Sequence, residues 1–214
     1  HMVQPGMVYI SMPTEFGMVY TRDELAALYA TCQKYGLRLF IDGARLGYGL
    51  VSAACDYDLP FLAKHCDVFY IGGTKVGAMM GEAVVFSGMK APKYFFTNVK
   101  RHGALLAKGR MLGIQFDTLF TDELYFKISR HAIAMATRIR SIFEKHGITL
   151  AYDSPTNQQF VVLSPTLYEA LSQKVAFEIW ERKSEHEIIC RFVTSWATKE
   201  EELDELDRIL QAYA

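Results

Sequence analysis

Two apolar runs, each ending in a glycine-rich turn, restrict the fold of this chain more than any other feature: LRLFIDGARLGYG at 37–49 and DVFYIGGTKVGAMMGEAVVF at 67–86. Short continuous apolar runs bounded by turn residues suit strands buried in a sheet. The first turn presents Asp42 and then Arg45; the second presents Thr74 and Lys75. In an open parallel sheet, loops and helix N-termini converge beyond the carboxyl ends of the strands. Asp42 and Lys75 both stand at such ends and are expected to meet across one crevice.

The flanking sequence supports that sheet. MVYIS (7–11) reads as a short buried strand, and MPTEFG (12–17) as the turn after it. Thr21 and Glu24 make a capping box for a helix over about 22–35. Leu25, Leu28, Tyr29 and Cys32 form its apolar stripe, and Gly36 ends it. LRLFID then completes a βαβ unit, whose crossover is right-handed almost without exception. The alternation continues through DVFYIGG and EAVVFSG and predicts an α/β chain with a largely parallel sheet.

From Thr121 the spacing predicts a long amphipathic helix to His146, with Leu124, Ile128, Met135, Ile139, Ile142 and Phe143 on one side and Gly147 as its stop. Beyond it, ITLAY (148–152), QFVVL (159–163) and IICRFVTSW (188–196) read as strands. Ser164-Pro165 opens a helix between the last two. Thr198 and Glu201 are expected to cap the final helix, whose buried face is Leu203, Leu206, Ile209 and Leu210. The expected organisation is the later part of a large domain over 1–120, a connecting helix over 121–147, and a small C-terminal α/β sandwich over 148–214.

Composition narrows the function class. The chain has 214 residues, 50% apolar and 22% charged, with a net charge of −1. That balance gives no reason to expect nucleic-acid or membrane binding. No apolar run approaches a membrane span, and no signal-peptide pattern opens the chain. Cys32, Cys55, Cys66 and Cys190 form no Cys-x-x-Cys pair and read as reduced core thiols of a cytoplasmic protein. The histidines lack ligand spacing, so no metal is expected. Residues 90–110 carry Lys90, Lys93, Lys100, Arg101, Lys108 and Arg110 with no acid among them. Such a run is by default a solvated face; a nucleic-acid surface using Tyr94, Phe95 and Phe96 ranks last, given the near-neutral chain. Met79-Met80, beside Lys75, reads as core packing.

A buried lysine opposite a carboxylate is what pyridoxal phosphate (PLP) chemistry requires: the lysine holds the aldehyde and the acid keeps the pyridine nitrogen protonated. The plainer readings are that Asp42 caps an Asp-Gly turn, Lys75 is solvated, Arg45 pairs with an acid on a neighbouring helix, Thr74 merely continues its turn, and Thr14-Glu15 is an ordinary turn. Arg191, in a strand, suits either a substrate carboxylate or stem packing over a sheet edge.

Asp42-Gly43-Ala44-Arg45 followed by Gly72-Gly73-Thr74-Lys75 resembles the threonine aldolase/β-eliminating lyase family of fold-type I PLP enzymes, end to end along this chain but over only the later two-thirds of such an enzyme. The resemblance implies an aspartate aminotransferase-type large domain and an enzyme that cleaves the Cα–Cβ bond of a β-hydroxy amino acid to glycine and an aldehyde. β-Elimination or another Cα reaction is the rival, and a non-catalytic oligomerisation module the alternative of another class. It makes Lys75 the Schiff-base lysine and Asp42 the partner of the pyridine nitrogen. It places Ala44, Arg45 and Thr74 at the cofactor, and Arg191, Arg45, Thr14 and Glu15 at the amino-acid substrate. It also implies a homodimer or homotetramer with shared sites, where the basic stretch 90–110 would complete an anion site. Thr74-Lys75-Val76-Gly77 departs from the common Ser-Lys-Gly-Leu, which points to a divergent branch. The upstream segment that bears the phosphate turn and the stacking aromatic ring is not in this sequence, so a fragment inactive alone is expected.

Overall fold

The computed structural model describes residues 1–213 and contains two sheets. The first has the order β1 (Met7–Ser11), β2 (Arg38–Asp42), β3 (Val68–Ile71), β4 (Ala83–Phe86). β1, β2 and β3 are parallel, and β4 is antiparallel to β3. The EAVVF run thus turns back on its predecessor: only a glycine-rich turn joins the two, without the helix that a parallel crossover requires. β1 is an edge strand, with Met7 and Tyr9 53% and 54% exposed, so the expectation of a buried strand there is corrected.

Alternation along β2 and β3 sorts the residues. Leu39, Ile41, Phe69 and Ile71 point into a core with Leu25 and Cys32 of α1 (Arg22–Lys34) and Leu62. Phe40, Asp42, Tyr9 and Tyr70 lie on the other face, where the Tyr9 and Phe40 rings stack at 5.4 Å. The capping box of α1 forms as expected: the Thr21 hydroxyl accepts from the Glu24 amide, and the Glu24 carboxylate from the Thr21 amide. α2 (Leu46–Leu50) and α3 (Leu59–Lys64) fill the span between β2 and β3.

Two helices in 90–120, α4 (Phe95–Arg101) and α5 (Arg110–Phe120), have no counterpart in the sequence reading, because little of either is buried. Met79 and Met80 are exposed, at 86% and 52%, and not core. The long helix α6 starts at Leu124 and ends at Lys145, after a 3₁₀ turn over Thr121–Glu123 in which Asp122 and Glu123 have positive φ. That kink resets the helical phase, so Tyr125 is buried and Leu124 is 37% exposed. α6 serves two cores: Tyr125 and Ala132 join the first, while Met135, Ile139, Ile142 and Phe143 join a second with Leu163, Cys190, Leu206 and Leu210.

The second sheet is antiparallel, in the order β5 (Gln158–Leu163), β7 (Ile188–Val193), β6 (Glu178–Arg182), with α7 (Pro165–Ser172) between β5 and β6 in the chain. ITLAY is not a strand; it contributes one bridge, Leu150 to Val161. The third strand is instead EIWER, largely exposed at the sheet edge, where no apolar alternation announces it. β7 stops at Val193, three residues before the expected end at Trp196, because Thr194 turns inward: its amide donates to the Asn157 carbonyl (3.0 Å) and its hydroxyl to the Ala132 carbonyl (2.7 Å). The last helix, α8 (Glu200–Gln211), is capped one residue later than expected. The Lys199 amide donates to the Glu202 carboxylate, while the Thr198 hydroxyl accepts from the Ser195 amide. Its expected buried face, Leu203, Leu206, Ile209 and Leu210, is the one observed. Among the described residues no helix is long and apolar enough to cross a membrane.

Candidate active site

The two glycine turns touch. Beyond β2, Gly43 lies so close to β3 that a Cβ would stand 1.9 Å from the Tyr70 carbonyl oxygen, and at Gly72 it would stand 2.2 Å from that of Ala44. Under about 3 Å against backbone no side chain fits, so Asp-Gly-Ala and Gly-Gly-Thr read together as a requirement for backbone contact. The Gly72 amide donates to the Gly43 carbonyl at 2.8 Å.

Asp42 is half-buried at the end of β2 and accepts three hydrogen bonds: from the Tyr70 phenol on Oδ1, the Tyr9 phenol on Oδ2, and the Ala44 amide on Oδ1 at 3.0 Å. The last is the turn-capping bond of the plainer reading, present alongside the others. Burial alone would push the Asp42 carboxyl up. The phenols of Tyr70 and Tyr9, the Ala44 amide and the Lys75 charge outweigh it and leave the group below its usual range. The Asp42 carboxylate, with burial and its charge, raises the Tyr9 phenol to about 12.

Lys75 is exposed, which corrects the expectation of a buried lysine: it sits in the turn beyond β3, past Gly72 and Gly73. Its backbone is nonetheless pinned. The Tyr48 phenol donates to the Lys75 carbonyl, and the Glu82 carboxylate accepts from the Gly73 amide and, at 3.4 Å, from the Thr74 hydroxyl. Arg45, Tyr48, Thr74 and Lys75 line a cleft of about 270 Å³ with Asn157, Val193, Thr194, Ser195 and Trp196. The cleft therefore joins the turns of the first sheet to the end of β7.

Arg45 immediately precedes α2 and, among the described residues, its guanidinium has no hydrogen-bond or ion-pair partner, which removes the neighbouring-acid reading. Burial, then the nearby Arg191 charge, lower its pKa, opposed by Glu15. Arg191 lies on β7, the central strand of its sheet, so the edge-packing reading fails. Its guanidinium donates to Gln158 Oε1 at 3.0 Å, pairs with Glu178 and lies 5.2 Å over the Trp180 ring. Gln158 also donates to the Glu15 carbonyl, 3.3 Å away, and ties the Thr14-Glu15 turn to the same region. The Thr14 hydroxyl is engaged within that turn, accepting from the Met18 amide. Glu15 is exposed, and its charge reaches Arg45.

Sequence reasoning missed Tyr9, Tyr70, Tyr48, Tyr125, Glu82 and Gln158. A signal existed for two of them. Tyr70 stands two residues before Gly72 as Phe40 stands two before Asp42, and register pairs Tyr9 with Phe40, so all share a face.

The family model for beta-eliminating lyases matches residues 1–166. A low specificity L-threonine aldolase of Pseudomonas sp. (strain NCIMB 10558) is 32% identical over 99% of this chain and 61% of its own length. A solved structure of threonine aldolase from Leishmania major superposes with a TM-score of 0.96 at 40% identity, covering 100% of this chain and 62% of that one. Serine palmitoyltransferase from Sphingomonas wittichii, at 13% identity and TM-score 0.68, covers 97% of this chain and 54% of that one and shares the fold alone. The chain thus spans about three-fifths of the relatives that it matches. Its α/β architecture is that of fold-type I PLP enzymes, and the match over residues 1–166, which contain the contacting Asp42 and Lys75 turns, makes this chain a member of the beta-eliminating lyase family.

Proposed function

We propose that this chain carries the lysine-bearing turn and the small domain of a PLP-dependent lyase that cleaves the Cα–Cβ bond of a β-hydroxy amino acid, yielding glycine and an aldehyde. The observation that carries the reading is the contact between the Asp42 and Lys75 turns, beside a cleft lined by Arg45, Thr74 and Lys75, with the Arg191 charge close enough to act on Arg45. Its support in sequence is the likeness to relatives named threonine aldolases.

The residues fit the cofactor. Asp42 has its pKa held below the usual carboxylate range by its phenol and amide donors and stands at a strand end, as suits the partner of a protonated pyridine nitrogen. Glycines remove side chains where the two turns meet, and Arg45 holds an unpaired cation in the cleft. When bound, PLP supplies an electron sink for the bond broken at Cα. In this reading Lys75 Nζ anchors the cofactor and exchanges a proton there, Asp42 keeps the ring-nitrogen proton in place, and Ala44 and Thr74 border the ring. Arg45 neutralises charge on the cofactor's oxygen side. Arg191 orients the substrate carboxylate by paired hydrogen bonds, with Thr14 and Glu15 at the rim. The β-hydroxyl proton goes to a base that these residues do not identify. A cytoplasmic homodimer or homotetramer belongs to the same proposal.

The test is product analysis with L-threonine of the PLP-loaded protein, carried on a chain of its relatives' full length. Glycine with acetaldehyde supports the reading; a keto acid with ammonia turns it to β-elimination, which the family model's description favours. Neither product, with no pyridoxyl group on Lys75 after borohydride reduction, overturns it.

A further inference from the structure

Two buried phenols lie between the Asp42 turn and the Lys75 turn without belonging to either strand. Tyr48 and Tyr125 are each 1% exposed. The Tyr48 phenol, from α2, donates to the Lys75 carbonyl, and Tyr48 lines the cleft together with Lys75 and Trp196. The Tyr125 phenol, from α6, accepts from the Gly47 amide at 3.1 Å and donates to the Gly72 carbonyl at 3.0 Å. Gly47 has no room for a side chain: a Cβ would stand 2.5 Å from Ser129 Oγ and 2.8 Å from the Tyr125 ring.

We propose that Tyr48 and Tyr125 are positioning residues that clamp the 72–75 turn against α2 and α6, and so set where the Lys75 side chain starts relative to Asp42 and Arg45. The physical need is specific to this turn. It lies outside the sheet ladder, and its carbonyls at Gly72 and Lys75 take phenol hydrogens from α6 and α2. Lysine carries a flexible four-carbon stem, so its backbone must supply the precision that its side chain lacks. A displacement of about 1 Å at a reacting group is enough to cost roughly a hundredfold in rate. Tyr48 ties α2 to the lysine turn and shares the cleft wall with Ser195 and Trp196, just beyond β7. The clamp deepens the PLP-lyase reading and rests on it for its consequence, but not for its geometry.

The test uses Tyr48→Phe and Tyr125→Phe separately, so that failure of one to fold leaves the other. Amide hydrogen exchange is followed first without cofactor. Each variant is expected to exchange about tenfold faster across 72–78, the loss of one hydrogen bond, with strands 7–11 and 188–193 unchanged. With PLP and L-threonine, and on a chain of the relatives' full length, kcat is expected to fall about tenfold with KM within about twofold, as for an interaction that orients the reacting group. Exchange over 72–78 like that of the unsubstituted protein, or acceleration spread evenly over the chain, overturns the clamp. If the unsubstituted protein shows no borohydride-fixed pyridoxyl on Lys75, the PLP reading falls, while the cofactor-free exchange experiment still judges the clamp.

Discussion

Asp42 illustrates how a single carboxylate acquires its properties from neighbours that only the sheet brings near. Two tyrosines, an amide and a lysine charge hold it below its usual pKa against the pull of burial. Because the folded value lies below the unfolded value of about 3.9, its stabilising contribution is complete above that pH and is lost as pH falls through the folded value. Asp42→Asn should therefore be destabilising at pH 7, and the difference from the unsubstituted protein should shrink toward pH 3 in urea melts. An equal difference at both pH values would refute this. The same substitution should return the Tyr9 phenol from about 12 toward its ordinary value, read as tyrosinate absorbance in an alkaline titration. At the neighbouring glycines, Gly43→Ala and Gly72→Ala each set a methyl against a carbonyl. Each is expected to cost about 1–3 kcal/mol or more by overpacking, measured by denaturant unfolding.

Among elements, local chemistry explains starts better than ends. Thr21 and Glu24 cap α1, Ser164 caps α7 through the Leu167 amide, and Gly147 stops the long helix, all as their side chains and backbones require. Those signals are local and therefore legible in sequence. Thr194, by contrast, ends β7 through bonds to Asn157 and Ala132, which lie far away in the chain. Thr194→Val should lower stability by about 1–2 kcal/mol, since it leaves the hydroxyl's bond to α6 unmade; no change in the unfolding midpoint would sink the argument. Residues 121–123 and the EIWER strand were misread for a related reason. The first hides a phase reset in two left-handed acids, and the second is an edge strand with almost nothing buried.

For the molecule as a whole, α6 is the common member of both cores, and the cleft lies where they meet. The two parts are therefore expected to unfold together: tryptophan fluorescence, which reports Trp180 and Trp196 near β6 and β7, should follow the same denaturant curve as far-ultraviolet circular dichroism. Two separated transitions would show that α6 does not couple them. The arrangement also predicts that Arg191→Lys raises KM for the amino acid by at least about tenfold, because an ammonium cannot make the paired contacts of a guanidinium. Steady-state kinetics on the PLP-loaded protein checks it.

The chain's own order of residues determined the α/β class, the capping of α1 and α7, the buried face of α8 and the pairing of an Asp-Gly turn with a Lys-bearing one. These depend on periodicity and on contacts within a few residues. The antiparallel turn-back of β4, the Tyr9 and Tyr70 phenols on Asp42, the exposure of Lys75, and the Tyr48 and Tyr125 bridges were decided by folding alone. Each joins residues distant in sequence, and strand register and helix phase, which no short window of sequence contains, choose which of many tyrosines arrives.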